Sequence, residues 1–129
     1  MSQDRLRGKI IGFEEYDEYT MKSVFGETSP FRLLSCIEPS LSFVVVSPYH
    51  ILEDYSFELE ENILKTIKAD ENAIENIAVI CIVRPHNHTL YVNLRSPLII
   101  NVKNGLFTQI ILQDESYGVS VPFVPKKDD

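Results

Sequence analysis

Short apolar runs rich in β-branched and aromatic residues recur along this chain, and Pro or Gly punctuates most of the gaps between them. Such runs predict strands at Leu6 to Gly12, Tyr19 to Phe25, Phe31 to Cys36, Leu41 to Ser47, Tyr55 to Leu59, Ile77 to Arg84 and Thr89 to Leu94. The best specified element follows. Pro97 to Val102 and Leu106 to Leu112 read as two arms folded back at Lys103-Asn104-Gly105, where Asn-Gly supplies the positive φ angles that a tight hairpin turn demands. One stretch changes period: Leu59, Ile63, Leu64 and Ile67 recur at helical spacing, with Glu60 and Glu61 at the positive start and Lys65 and Lys68 at the negative end.

So many short strands at close spacing predict a mainly β fold, a compact antiparallel β-barrel-like single domain over residues 1–124 with one short helix. The helix is expected to cover an open end or edge of the sheet, its apolar stripe serving as core. The tail Pro125-Lys126-Lys127-Asp128-Asp129 is expected to be disordered. There is no repeat, low-complexity segment or linker to divide the chain.

At 129 residues the chain can bury a core without disulfides or a structural metal. A net charge of −7 and a pI near 4.9 oppose binding of nucleic acid through the domain's own field, which requires a surplus of Lys and Arg. A barrel that grips single strands needs exposed aromatics in a basic groove, so this alternative conflicts with the charge balance. An acidic surface suits a basic protein partner instead. The opening "MSQDRLRGKIIGFEEYDEYT" lacks a signal-peptide core and no stretch approaches membrane-spanning length, so the cytoplasm is the expected address.

Catalytic machinery is hard to find. The chain has no Gly-rich phosphate loop, no G-x-S-x-G elbow and no H-E-x-x-H pattern. Cys36 and Cys81 lie far apart with no C-x-x-C spacing and read as small buried hydrophobes; Cys81 sits in an apolar run typical of a strand covered on both faces. The sharpest alternative is a small metal-dependent enzyme. His86 and His88, two apart, would share one face of a strand and could hold a metal if His50 or a carboxylate joined them. A polar loop between strands explains Arg84-Pro85-His86-Asn87-His88 equally well. The runs "EEYDE" and "ELEE" read as solvated acidic faces. No catalytic residue, cofactor or metal ligand is assigned.

Four pieces, in order, carry a resemblance over nearly the whole chain: "GFEEYDEY" at 12–19, "SPFRLLSCIEPSLSFVVVSP" at 29–48, "DYSFEL" at 54–59 and "NLRSPLIIN" at 93–101, followed by the hairpin return and Asp114-x-x-Tyr117. In that order and spacing they resemble the flagellar assembly factor FliW family. Two departures stand out: Ile11 where the family often has Pro, and Gly118-Val119-Ser120 where it often has basic residues. The resemblance implies a β-barrel-like fold without enzymatic activity. It further implies a cytoplasmic protein that binds flagellin and, when free of it, binds the translational regulator CsrA and relieves repression of flagellin mRNA.

The residues make that role physically reasonable, because an acidic domain is steered toward a basic RNA-binding repressor and brings negative potential beside the RNA path. The recognition segment is expected at Pro48 to Tyr55, where Tyr49, Tyr55, Glu53 and Asp54 leave a strand ending at Ser-Pro. Tyr49 and Tyr55 could equally close the end of the barrel. Asn93, Arg95 and Ser96, which precede the hairpin, either hold the turn or line a contact surface. The free protein is expected to be a monomer without direct contact to nucleic acid or membrane.

Overall fold

The computed structural model describes residues 4–36 and 41–123. The expected tail at 125–129 lies outside them. Among the described residues nine strands appear, in chain order: β1 Asp4–Lys9, β2 Glu18–Lys22, β3 Phe31–Cys36, β4 Ser42–Val46, β5 Ile77–His86, β6 Thr89–Val92, β7 Leu98–Asn101, β8 Leu106–Gln109 and β9 Val121–Pro122. Seven of them close a ring in the order β4-β3-β2-β1-β8-β7-β5, with β5 returning to β4. The β1–β8 seam is parallel and the other pairings are antiparallel.

The long strand β5 makes this topology possible. Its first half, Ile77 to Ile80, pairs with β7, while Val83 to His86 pairs with β6, which in turn carries β9. On the opposite edge, Cys81 to Val83 pairs with β4. Successive β5 side chains consequently enter different cores. Ala78, Ile80 and Ile82 pack against the barrel interior of Leu6, Ile10, Tyr19, Leu34, Val45, Leu98, Ile100 and Phe107. Val79, Cys81 and Val83 join Val46, Tyr55, Val92, Leu94 and Leu112 beneath the outer segments. An unbroken apolar run in the sequence is what burial on both faces requires.

At the parallel seam, Gly8 is a steric necessity. A Cβ there would lie 2.7 Å from Cγ of Phe107, well inside van der Waals contact.

The helix α1 spans Glu61–Thr66, short enough that its own hydrogen bonds could not sustain it in water. Burial of Leu64 and Ile67 holds it in place, each worth roughly 1.5–3 kcal/mol. Its end is a Schellman arrangement built without glycine: Ala69 N–H donates to Leu64 O, Lys68 N–H donates to Lys65 O, and Lys68 takes φ 53°. Two side chains from the hairpin finish it. Asn101 Nδ2 donates to Ile67 O at 3.1 Å, and Asn104 Nδ2 donates to the same carbonyl at 3.1 Å.

Two local expectations are corrected. Tyr55 to Leu59 forms no strand, because the Tyr117 hydroxyl binds both backbone polar groups of Ser56 where a ladder partner would be needed. In the β7–β8 hairpin, Gly105 alone has positive φ, at 78°; Asn104 holds the helix end and accepts from Leu106 N–H. The tight turn sits elsewhere, at Asn87 and His88, whose φ values of 49° and 65° are those of a two-residue primed turn joining β5 to β6. Besides α1 there are 3₁₀ turns at Pro48–His50 and Glu71–Asn76.

Candidate interaction site

At Ser47 the chain leaves β4. The Ser47 hydroxyl accepts from Tyr49 N–H, and Pro48, with its fixed φ, starts the 3₁₀ turn. The turn sends the chain over the second core, where four aromatic rings meet. Tyr55 lies at the centre, its ring centroid 5.9 Å from Tyr49, 5.8 Å from Phe57 and 4.7 Å from Tyr117. Its hydroxyl donates to Leu94 O at 2.6 Å. Burial, with Cys81 alongside, raises the Tyr55 pKa, so this phenol stays neutral.

Tyr117 fastens the segment from the other side. Its hydroxyl donates to Ser56 O at 3.0 Å and accepts from Ser56 N–H at 3.1 Å. Asp114 sets the turn that presents it: the carboxylate accepts from the Ser116 hydroxyl at 2.6 Å and the Ser116 N–H at 2.9 Å, and Tyr117 N–H reaches Asp114 O. The Ser116 hydroxyl and then its N–H hold the Asp114 carboxyl below its ordinary pKa, with the charge of Arg95 adding to the effect.

The expected recognition residues divide by exposure. Tyr49 is 47% exposed, and Glu53 and Asp54 are exposed beside it. Pro48 and Tyr55 are buried, Tyr55 to 2% exposure, and lie beneath the exposed side chains of the segment. Asn93 Oδ1 accepts from the N–H groups of Arg95 and Ser96, and so holds the turn before β7. Arg95 Nε donates to Leu112 O and Gln109 Nε2 donates to Ser96 O, tying that turn to the strand leaving the hairpin. These three residues are half-buried structural ties adjoining the site.

Asp114 and Tyr117 stand in the sequence as an Asp-x-x-Tyr pair with no assigned task, and their spacing is the signal: an Asp that caps a turn sits three residues before the ring it delivers.

Burial pushes the Cys81 thiol up to about 12, leaving it un-ionised at neutral pH. His88 occupies the primed turn itself, so the shared strand face expected for His86 and His88 does not form; His86 Nε2 lies 3.3 Å from Asn87 Nδ2. Among the described residues, no three His, Cys, Asp or Glu side chains gather as a metal site. No helix of the described residues is long and apolar enough to cross a membrane.

The sequence profile of the FliW protein family matches residues 5–123. The chain belongs to the FliW family. A flagellar assembly factor FliW of Clostridioides difficile is 30% identical over 125 residues, covering 96% of this chain and 95% of that protein. The flagellar assembly factor FliW of Borrelia hermsii is 33% identical over 111 residues, covering 84% and 82% respectively. A crystal structure of the flagellar assembly factor FliW superposes with a TM-score of 0.82 at 26% identity, over 97% of this chain and 89% of the other. The FliW fold is therefore this closed β-barrel, with one α-helix among the described residues, and the relatives so named are flagellar assembly factors.

Proposed function

We propose that this FliW-family protein acts in the cytoplasm as a two-partner switch, binding flagellin and, once released from it, binding CsrA so that flagellin mRNA is no longer repressed. The observation that carries the CsrA half is the pair of exposed carboxylates, Glu53 and Asp54, beside exposed Tyr49 on a segment pinned through Tyr55 and Tyr117. Two exposed carboxylates on a segment that also exposes an aromatic suit a basic surface, and net charge −7 steers such a partner in from a distance. Order matters here. A segment held rigid before binding loses less entropy when it docks.

Flagellin is expected to contact the protein through an amphipathic terminal segment, where buried apolar area supplies most of the energy and salt has little influence. If the two partners exclude one another, linkage requires each to weaken the other equally. Titrating flagellin into a preformed complex with CsrA should then release CsrA and restore its RNA binding. Reversing Glu53 and Asp54 to Lys should slow CsrA association strongly at low salt and weakly at high salt, with a smaller effect on flagellin. A stable ternary complex with unchanged affinities would refute the switch. Equal loss of both partners with the same salt dependence would refute the assignment of these two carboxylates to CsrA.

A further inference from the structure

Where β4 ends, β5 loses a neighbour. Pairing with β4 stops at Cys81, so on that side Ala78 to Ile80 have no strand partner among the described residues, while the Ile77 N–H is taken by Ile74 O and the opposite edge of Ile77 to Ile80 is paired with β7. The gap opens on a cavity of about 440 Å³ at the barrel mouth, lined by Arg32, Ser47, His50 and Ile80 together with Thr28 and Ser29. Arg32 stands opposite Val45 across the β3–β4 pair, and Val45 belongs to the barrel interior, so Arg32 occupies the rim on the inward side.

The charge of this pocket is opposite to that of the molecule. Its lining contains a guanidinium, an imidazole and three hydroxyls but no carboxylate, in a chain of net charge −7. Neither the Arg32 nor the His50 side chain has an ion pair or hydrogen bond among the described residues. Beside the pocket, the loop leading into β3 exposes Val24 and Phe25, held in shape by Ser23 Oγ donating to Gly26 O and by Ser29 N–H donating to the same carbonyl. A free strand edge offers main-chain hydrogen bonds, the basic rim offers a carboxylate its partner, and the loop adds apolar contact.

We propose that the barrel mouth between β3, β4 and β5 receives an extended acidic segment of a partner protein, its backbone added to the free edge of β5 and a carboxylate side chain held by Arg32 and His50. The occupant's charge is opposite to that of the basic partner proposed for Glu53 and Asp54, and because His50 belongs to the same Pro48 to Tyr55 segment the two surfaces adjoin. The proposal does not depend on the identity of either partner named above.

The test uses the full chain, isotopically labelled, and a blocked peptide of alternating valine and glutamate. Its counterpart with lysine for glutamate, a version with N-methylated backbone amides, and acetate and inorganic phosphate serve as the other probes. The acidic peptide should shift the amide resonances of residues 77–80 along with those of Arg32 and His50, and Arg32→Glu should weaken it at least tenfold while leaving the thermal midpoint unchanged. Backbone methylation should abolish binding, and the lysine peptide should not bind. Equal binding of the two peptides, or unaltered affinity in the Arg32→Glu variant, would overturn the proposal. So would acetate or phosphate reproducing the full set of shifts, since the pocket would then hold a small anion only.

Discussion

The Ile67 carbonyl, buried at the end of α1, receives two side-chain donors from a single hairpin, and removing them one at a time and together tests whether that end holds the helix in place. Asn101, only 4% exposed, donates to Ile67 O and at 3.4 Å to Lys68 O, and accepts from Lys103 N–H at 3.0 Å. Asn101→Ala should cost about 2 kcal/mol, taking about 1 kcal/mol for each of the two better bonds. Asn104 is exposed, so water replaces part of what Asn104→Ala removes, and about 1 kcal/mol is expected. Each single variant leaves Ile67 O with one donor. The double variant strips it, and an unsatisfied buried carbonyl adds about 1 kcal/mol beyond the sum. The chain has no Trp, so urea unfolding should be followed by far-ultraviolet circular dichroism, where the double variant's midpoint should fall by at least about 1 M. Additivity within about 0.5 kcal/mol would refute the shared-acceptor argument, and a single-variant effect near zero for Asn101 would show that the buried amide does not hold the helix.

Lys68→Gly should stabilise the protein by about 1 kcal/mol, because Lys68 takes a left-handed conformation at the helix end that glycine adopts without steric cost; a lower unfolding midpoint would contradict this. Gly8→Ala should destabilise by about 1–3 kcal/mol, since the added methyl meets the Phe107 backbone and ring, and a native-like midpoint would show that the β1–β8 seam can part to admit it. Cys81, raised from an ordinary value of 9.0 to about 12, ionises in the unfolded chain before it ionises in the native one, so its contribution to stability is present below pH 9 and declines as pH rises from there toward 12. In the native protein at pH 8 a disulfide reagent should modify Cys81 no faster than the protein unfolds, a rate measurable by thiol titration with and without urea.

Elements whose signal was local were legible in the sequence. Phe31 to Cys36 has the bounds of β3, and the Leu64 and Ile67 positions anchor α1, because burial on one face imposes a period that the residues must follow. Tyr55 to Leu59 carries the same alternation and is no strand: Tyr55 and Phe57 face the second core, but a tyrosine hydroxyl sixty-one positions away takes both backbone bonds of Ser56 between them. Nothing near Ser56 in sequence encodes that. Asn104-Gly105 and Asn87-His88 make the same point for turns, since Asn suits positive φ but also suits capping a helix that arrives from elsewhere. The candidate site was legible as a segment and not as an arrangement. Pro48 to Tyr55 stands out as a segment leaving a strand at Ser-Pro, whereas the division into exposed Tyr49, Glu53 and Asp54 over buried Pro48 and Tyr55 depends on which side of the chain meets the second core.

The parallel seam between β1 and β8 joins residues about a hundred positions apart, Arg7 with Leu106 and Lys9 with Thr108. As the chain emerges from the ribosome, β1 through β4 can assemble by short hairpins, but one edge of β1 stays without a partner until β8 has been made. Loop-closure entropy therefore falls on a single late event, and the growing chain carries an open strand edge throughout synthesis. Gly8 and Phe107, which set how closely the two ends approach, govern that final step, so variants at this seam should leave the early meander intact and slow the formation of the closed barrel.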